Sequence, residues 1–290
     1  MYGKFGLISL LTLLLITLTI SGYVTAMPDL ISKKSDNQSF SDTSGISLGV
    51  GEMKTIGLIG GISWVSSNEY YRLMNEMVRK ELGGLHSAKT LMYSVEFGEF
   101  SDEERLADEG DWGALTQTMV DAAERLDRGG ADFIVICSNT MHSTVEEIQK
   151  HVDIPVLHIA DATAEKVKDT GITTVGLMGT KYTMEQDFYR GILEKKHGLT
   201  VIIPNETERD YINTVIFDEL CAGKIEQDSK EKFIQIIHHL EEEGAQGVIL
   251  GCTEIPLLIH QEDVDLPVFD TMTIHAQAAV DFALNKTNPF

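Results

Sequence analysis

The sequence predicts an α/β fold of two pseudo-symmetric, doubly wound parallel-sheet lobes with a functional cleft between them. Three observations predict it. Short β-branched runs alternate with amphipathic stretches from residue 54 onward, the pattern of βα units on a parallel sheet. The run Ala131–Ile136 is apolar throughout, as expected of a strand covered on both faces. The chain also repeats itself. Thr55–Gly60 (TIGLIG) matches Thr174–Gly179 (TVGLMG), Gly130–Thr140 matches Gly244–Glu254, and Ile154–Leu157 (IPVL) matches Leu266–Phe269 (LPVF). These segments keep one order and are offset by 112 to 119 residues, so one four-stranded unit is duplicated rather than eight strands closing a single barrel.

Ahead of the repeat, residues 1–26 carry Lys4, an apolar run from Phe5 to Ile20 and Val24-Thr25-Ala26, the three parts of a signal peptide. An uncleaved anchor and a true start at Met53 are the competing readings. Secretion or a periplasmic location follows from the first and a cytoplasmic one from a start at Met53. Residues 27–52 are largely polar and without periodicity, and read as a disordered linker. The first lobe is expected over 53–160, completed by a C-terminal helix over 271–290, and the second over 161–270.

Within the first copy, Thr55–Ile59 reads as a strand ending at Gly60-Gly61. Ser66 and Glu69 then have the spacing of a capping box, and Tyr70, Met74, Met77 and Leu82 supply a helical stripe stopped by Gly83-Gly84. Lys89–Val95 is the next strand, followed by an acidic loop holding Asp102-Glu103-Glu104 and Arg105. Leu115, Met119, Ala122 and Leu126 mark a second helix, and Ile154–His158 a fourth strand. The second copy repeats the strands near Thr174–Met178, Thr200–Ile203, Gly247–Leu250 and Pro267–Phe269. Ile212, Val215, Ile216 and Leu220 place Cys221 late in an amphipathic helix, as a core residue.

Composition excludes some functions. Lys+Arg at 23 against Asp+Glu at 45 gives a formal charge of -22, and no basic cluster offers a nucleic-acid or anionic-membrane surface. Gly57-x-x-Gly60-Gly61 is not the dinucleotide-binding glycine pattern, so no nicotinamide or flavin cofactor is expected. The three cysteines lack the spacing of a disulfide framework or a zinc site, so no metal is expected either.

The repeat superposes Ser138 on Cys252, each just beyond a buried strand. A thiol at a helix N-terminus has its pKa, about 8.5 unperturbed, pulled towards neutrality. Two such groups facing one another suit the removal of a proton from one face of a carbon and its return to the other. The alternative, that Ser138 caps a helix and Cys252 packs, stays open on these residues alone. Cys137 points to the other side of its strand and reads as core.

Gly57–Trp64 (GLIGGISW), Cys137–His142 (CSNTMH), Gly251–Glu254 (GCTE) and the long string Gly179–Tyr189 (GTKYTMEQDFY) resemble the aspartate/glutamate racemase family. The resemblance covers Met53 to Ala283. It implies two like lobes, catalysis by two opposed residues, no pyridoxal phosphate and no metal. An amino-acid substrate is implied, aspartate, glutamate or another polar one, and family members are often homodimers. Cys252 takes the family's second catalytic position. The first is Ser138, where much of the family has Cys, so a weaker acid stands on that face. Ser63, Asn139, Thr140, Thr180, Thr183 and Thr253 resemble substrate-binding positions, and Arg105 lies where relatives place a cation for a side-chain carboxylate. Lys181 and Lys224 are further cationic candidates, and His142 and Glu254 either tune the acid/base pair or cap and pair. Two other functions compete: a single-cysteine decarboxylase or isomerase of the same superfamily, and a secreted two-lobed amino-acid-binding protein.

Overall fold

The computed structural model describes residues 52–290. The leader expected over 1–26, and all but the last residue of the linker expected over 27–52, lie outside the described residues. Two four-stranded parallel sheets carry the rest. The first contains β1 (Ile56–Gly60), β2 (Thr90–Ser94), β3 (Phe133–Ile136) and β4 (Val156–Leu157), in the order β2-β1-β3-β4. The second contains β5 (Thr174–Gly179), β6 (Thr200–Ile202), β7 (Val248–Gly251) and β8 (Val268–Asp270), in the order β6-β5-β7-β8. The two orders are the same permutation, as the duplicated sequence requires. Ile59 pairs with Ile136 and Gly179 with Gly251, so the carboxyl ends of each central strand pair lie side by side.

The first sheet is covered on both faces. Helix α1 (Trp64–Leu82) is followed by α2 (Phe97–Asp108) and α3 (Gly113–Arg128). Phe100, Leu115, Met119 and Leu126 pack with Ile134 and Ile136 on one side, while Tyr70 and Met74 pack with Ile56, Leu58, Phe133 and Val135 on the other. Each of these side chains, fully withdrawn from water, contributes roughly 1.5–3 kcal/mol before entropy is counted. Beyond β3, the short α4 (Val145–Ile148) precedes β4, and α5 (Ile159–Asp169) crosses over, its Ile159, Ala164 and Val167 joining the core of the second sheet. That core also takes Ile212 and Ile216 from α7 (Glu206–Asp218), which follows the one-turn α6 (Lys181–Glu185), and Phe233 and Ile237 from α8 (Gln227–Glu242). The last helix, α9 (Thr271–Ala283), returns Met272, Ala276 and Val280 to the core around Tyr70 and Met74.

Two sequence expectations are corrected here. The helix after β1 begins at Trp64, with Ser63 in the N-cap position, so Ser66 is not a cap. Its neighbour Glu69 pairs with Arg72 rather than closing a capping box. The acidic segment after β2 is a helix, not a loop. Glu96 accepts from the Glu99 N–H to cap α2, and Phe100 and Ala107 bury one side of it.

Candidate active site

The cleft lies at the carboxyl ends of the central strands, where a doubly wound sheet leaves its backbone open to a ligand. It encloses a cavity of about 70 Å³. Ser138 and Cys252 stand at the equivalent ends of β3 and β7 and both line it, together with Ser63, Asn139, Thr140, Thr180 and Thr253. Of the catalytic and substrate-binding positions marked by sequence, Thr183 and Arg105 do not. Thr183 is fully buried behind Thr180, its hydroxyl 3.2 Å from that of Thr180.

Close packing of backbone makes the Cys252 position. Gly179 and Gly251 pair at the last rung of the second sheet, and a Cβ on Gly251 would lie 2.9 Å from Thr183 Cγ2 and 3.0 Å from the Met178 carbonyl oxygen. Only glycine fits there without displacing β5. The thiol that follows is 6% exposed. It donates to Glu254 Oε2 at 3.1 Å, and the same carboxylate accepts from Thr253 Oγ1 at 2.7 Å and from Ser66 Oγ at 2.8 Å. Ser66 belongs to α1, so a hydroxyl from the first lobe holds the carboxylate beside the thiol of the second.

The expected acidification of Cys252 is not found. Burial pushes the thiol well above its ordinary value, and the negative charge of Glu254 pushes it further. The physical reason is local. Only the short 3₁₀ turn Ile255–Leu257 follows Cys252, so no aligned helix dipole offsets the carboxylate. Cys252 therefore rests as a thiol whose proton already points at an acceptor.

Around Ser138 the chemistry is neutral. Asn139 Nδ2 donates to Thr271 Oγ1 at 3.2 Å, while its Oδ1 is buried with no hydrogen-bond partner. The hydroxyls of Thr140 and Thr180 meet across the cleft at 3.2 Å. Behind the strand end, His142 donates Nδ1–H to the Ser138 carbonyl at 2.7 Å and so fixes its tautomer. Its ring lies 4.7 Å from that of His158 and 5.4 Å from that of His275, centroid to centroid. His275 donates Nε2–H to the Leu157 carbonyl at 2.9 Å and accepts from the Tyr70 hydroxyl, also at 2.9 Å. Burial pushes His142 down to about 4 and His275 to about 3, so both are neutral at pH 7. Cys137 is fully buried on the Phe133–Val135 face, and burial raises its thiol strongly.

Four further placements differ from the sequence expectation or resolve it. Arg105 sits in the last turn of α2, exposed and 3.7 Å from Asp102, outside the cleft lining. The residue before it, Glu104, lines the cleft instead. Lys181 pairs with Asp210, and Lys224 reaches the Asp218 carbonyl at 3.5 Å; neither lines the cleft. Cys221 is not core. Helix α7 ends at Asp218, and a 3₁₀ turn over Leu220–Ala222 rotates Cys221 to an exposed position in the cleft wall. Sequence reasoning also missed Ser66 as a bridge and Phe97 as a wall; the seven-residue spacing of Phe97 and Glu104 was the available signal.

Comparison with known proteins bears on this geometry. The family model described as Asp/Glu/hydantoin racemase matches residues 59–279. The chain is 24% identical over 230 residues to the broad specificity amino-acid racemase RacX of Bacillus subtilis, covering 78% of this chain and 96% of that protein. A crystal structure of a candidate Asp/Glu racemase from Yersinia pestis is 50% identical with a TM-score of 0.75, covering 80% of this chain and 100% of that one. An aspartate racemase homologue from Pyrococcus horikoshii is 38% identical with a TM-score of 0.69, covering 80% and 99%.

Proposed function

The chain belongs to the Asp/Glu/hydantoin racemase family, and on that premise we propose that it racemises a free amino acid by exchanging the Cα proton between Cys252 and Ser138 on opposite faces. The observation that carries this reading is the placement of those two side chains at equivalent strand ends in one cleft. Glu254 takes the thiol proton, 3.1 Å away. The thiolate then removes the Cα proton, and the electron pair left on carbon spreads into the substrate carboxylate. Ser138 delivers its hydroxyl proton to the opposite face, and the proton held by Glu254 returns to the Ser138 oxygen through solvent. Hydroxyls of Thr140 and Thr180 donate to the substrate carboxylate, and the unpartnered Asn139 Oδ1 accepts from its ammonium group.

The test is a panel of single-enantiomer amino acids in deuterated water, followed by chiral chromatography and mass spectrometry. Inversion with one deuterium gained per turnover is expected, lost in Cys252→Ala. Racemisation that persists in that variant removes Cys252 from the mechanism.

A further inference from the structure

A cation in the cleft wall would be the strongest partner for the second carboxylate of a dicarboxylic substrate. Among the described residues that line it there is no Lys, Arg or His. Arg105, Lys181 and Lys224 are each engaged elsewhere, with Asp102, Asp210 and the Asp218 carbonyl. Two carboxylates line the cleft instead, Glu254 and Glu104. Glu254 is already tied to Cys252, Thr253 and Ser66 at the reacting end.

Glu104 comes to the wall from a different element. It lies two turns after Phe97 on α2, so the two share one helical face, and Phe100 between them is 1% exposed and anchors that helix in the core. From the second lobe, α7 brings Ile216 and Phe217 to the same cleft. These residues give the cleft an apolar wall with a carboxylate on it.

We propose that this protein selects amino acids with an aliphatic stem and a terminal ammonium group, the lysine and ornithine class, and that Glu104 is the specificity-determining residue. The inference rests on the racemase reading for its reaction but not for its binding preference. The methylene stem packs on Phe97, Ile216 and Phe217, and the ammonium group meets Glu104. A side-chain carboxylate entering the same cleft meets two like charges and, among the described lining residues, no counter-ion.

Two measurements test this. The first compares kcat/KM for L-lysine, L-norleucine and L-glutamate in the unmodified protein and in Glu104→Gln. Lysine is expected to exceed glutamate by at least about a hundredfold, and the lysine-to-norleucine ratio to fall about tenfold in Glu104→Gln. Glutamate equal to or better than lysine, or an unchanged ratio, overturns the inference while leaving the racemase reading intact. The second titrates the same amino acids calorimetrically into Cys252→Ala, which cannot turn over. Tighter binding of lysine than glutamate, weakened by adding Glu104→Gln, supports the inference even if no amino acid exchanges its Cα proton. Tighter glutamate binding, or no lysine binding at millimolar concentration, overturns it.

Discussion

The buried histidine cluster behind Ser138 makes the fold sensitive to mild acid. His142 and His275 are pushed by burial to about 4 and about 3, against about 6.5 for a solvated imidazole. Burial also holds His158, packed against His142, well below its ordinary value. Between those values and 6.5 the unfolded chain binds protons that the folded chain refuses, so stability is present above 6.5 and lost as pH falls through this window. At pH 5 each of the first two costs about 2 kcal/mol relative to neutral pH, or about 4 kcal/mol together. For a domain of this size that is roughly 10 °C in melting temperature. Paired carboxylates such as Glu69, Glu81 and Glu147 do not confuse the reading. Their pKa values lie below 4.5, so they lose their stabilisation at more acid pH.

The assay is thermal unfolding from pH 7.5 to 5, with urea unfolding at both ends to convert temperature into free energy. His275→Gln is the informative variant. Its side-chain amide still donates to the Leu157 carbonyl but does not titrate, so about a third of the acid-dependent loss should disappear, whatever the substitution costs at pH 7.5. A melting temperature that falls by less than about 3 °C between pH 7.5 and 5 refutes the reasoning. So does a full drop that His275→Gln leaves unaltered.

Other expectations follow from the same geometry. Glu254→Gln removes the charge that raises the Cys252 thiol, so alkylation by iodoacetamide at pH 8 should quicken while racemisation slows about a hundredfold or more for want of a proton acceptor. The two rates moving together would show that Glu254 acts only through folding. Ser138→Cys places a group titrating near about 8.5 where an alcohol stands, and should raise kcat in the slower direction at least about tenfold, with the enantiomer ratio at equilibrium still one. Gly251→Ala forces a methyl group against Thr183 and the Met178 carbonyl, and should cost about 1–3 kcal/mol in urea unfolding.

The strands were legible because a parallel sheet buried on both faces leaves little choice of residue. Phe133–Ile136 and Val248–Gly251 are apolar end to end, and the repeat fixed their equivalence before any pairing was known. Helix α2 was not legible for the opposite reason. Asp102, Glu103 and Glu104 interrupt its apolar spacing, and among the described side chains only Phe100 and Ala107 are buried in the core. Its charged surface looks like a loop until the Glu96 cap and the contact from Thr118 to Glu103, at 2.9 Å, are seen. Cys221 failed on a boundary. The stripe Ile212, Val215, Ile216 and Leu220 continues past the end of α7, where a change to 3₁₀ geometry and a left-handed Gly223, φ 72°, turn the next residue outward. The acidity of Cys252 is a tertiary property. No spacing rule reveals that Ser66, nearly two hundred residues away, holds a carboxylate against the thiol.

The repeat that reveals the site also locates its asymmetry. Aligned as copies, Ser138 stands on Cys252, Asn139 on Thr253 and Thr140 on Glu254. Thus the aligned position holds a carboxylate acceptor on the thiol side and a hydroxyl on the opposite side, 3.2 Å from Thr180. Nor does His142 repair the difference, because its Nδ1 proton is committed to the Ser138 carbonyl and its ring is neutral. The geometry therefore favours removal of the substrate proton by Cys252 and its delivery by Ser138, and penalises the reverse. A thiol at position 138 addresses only half of that bias. Its proton still faces Thr140 rather than a carboxylate, so the slower direction should rise in Ser138→Cys without overtaking the faster one.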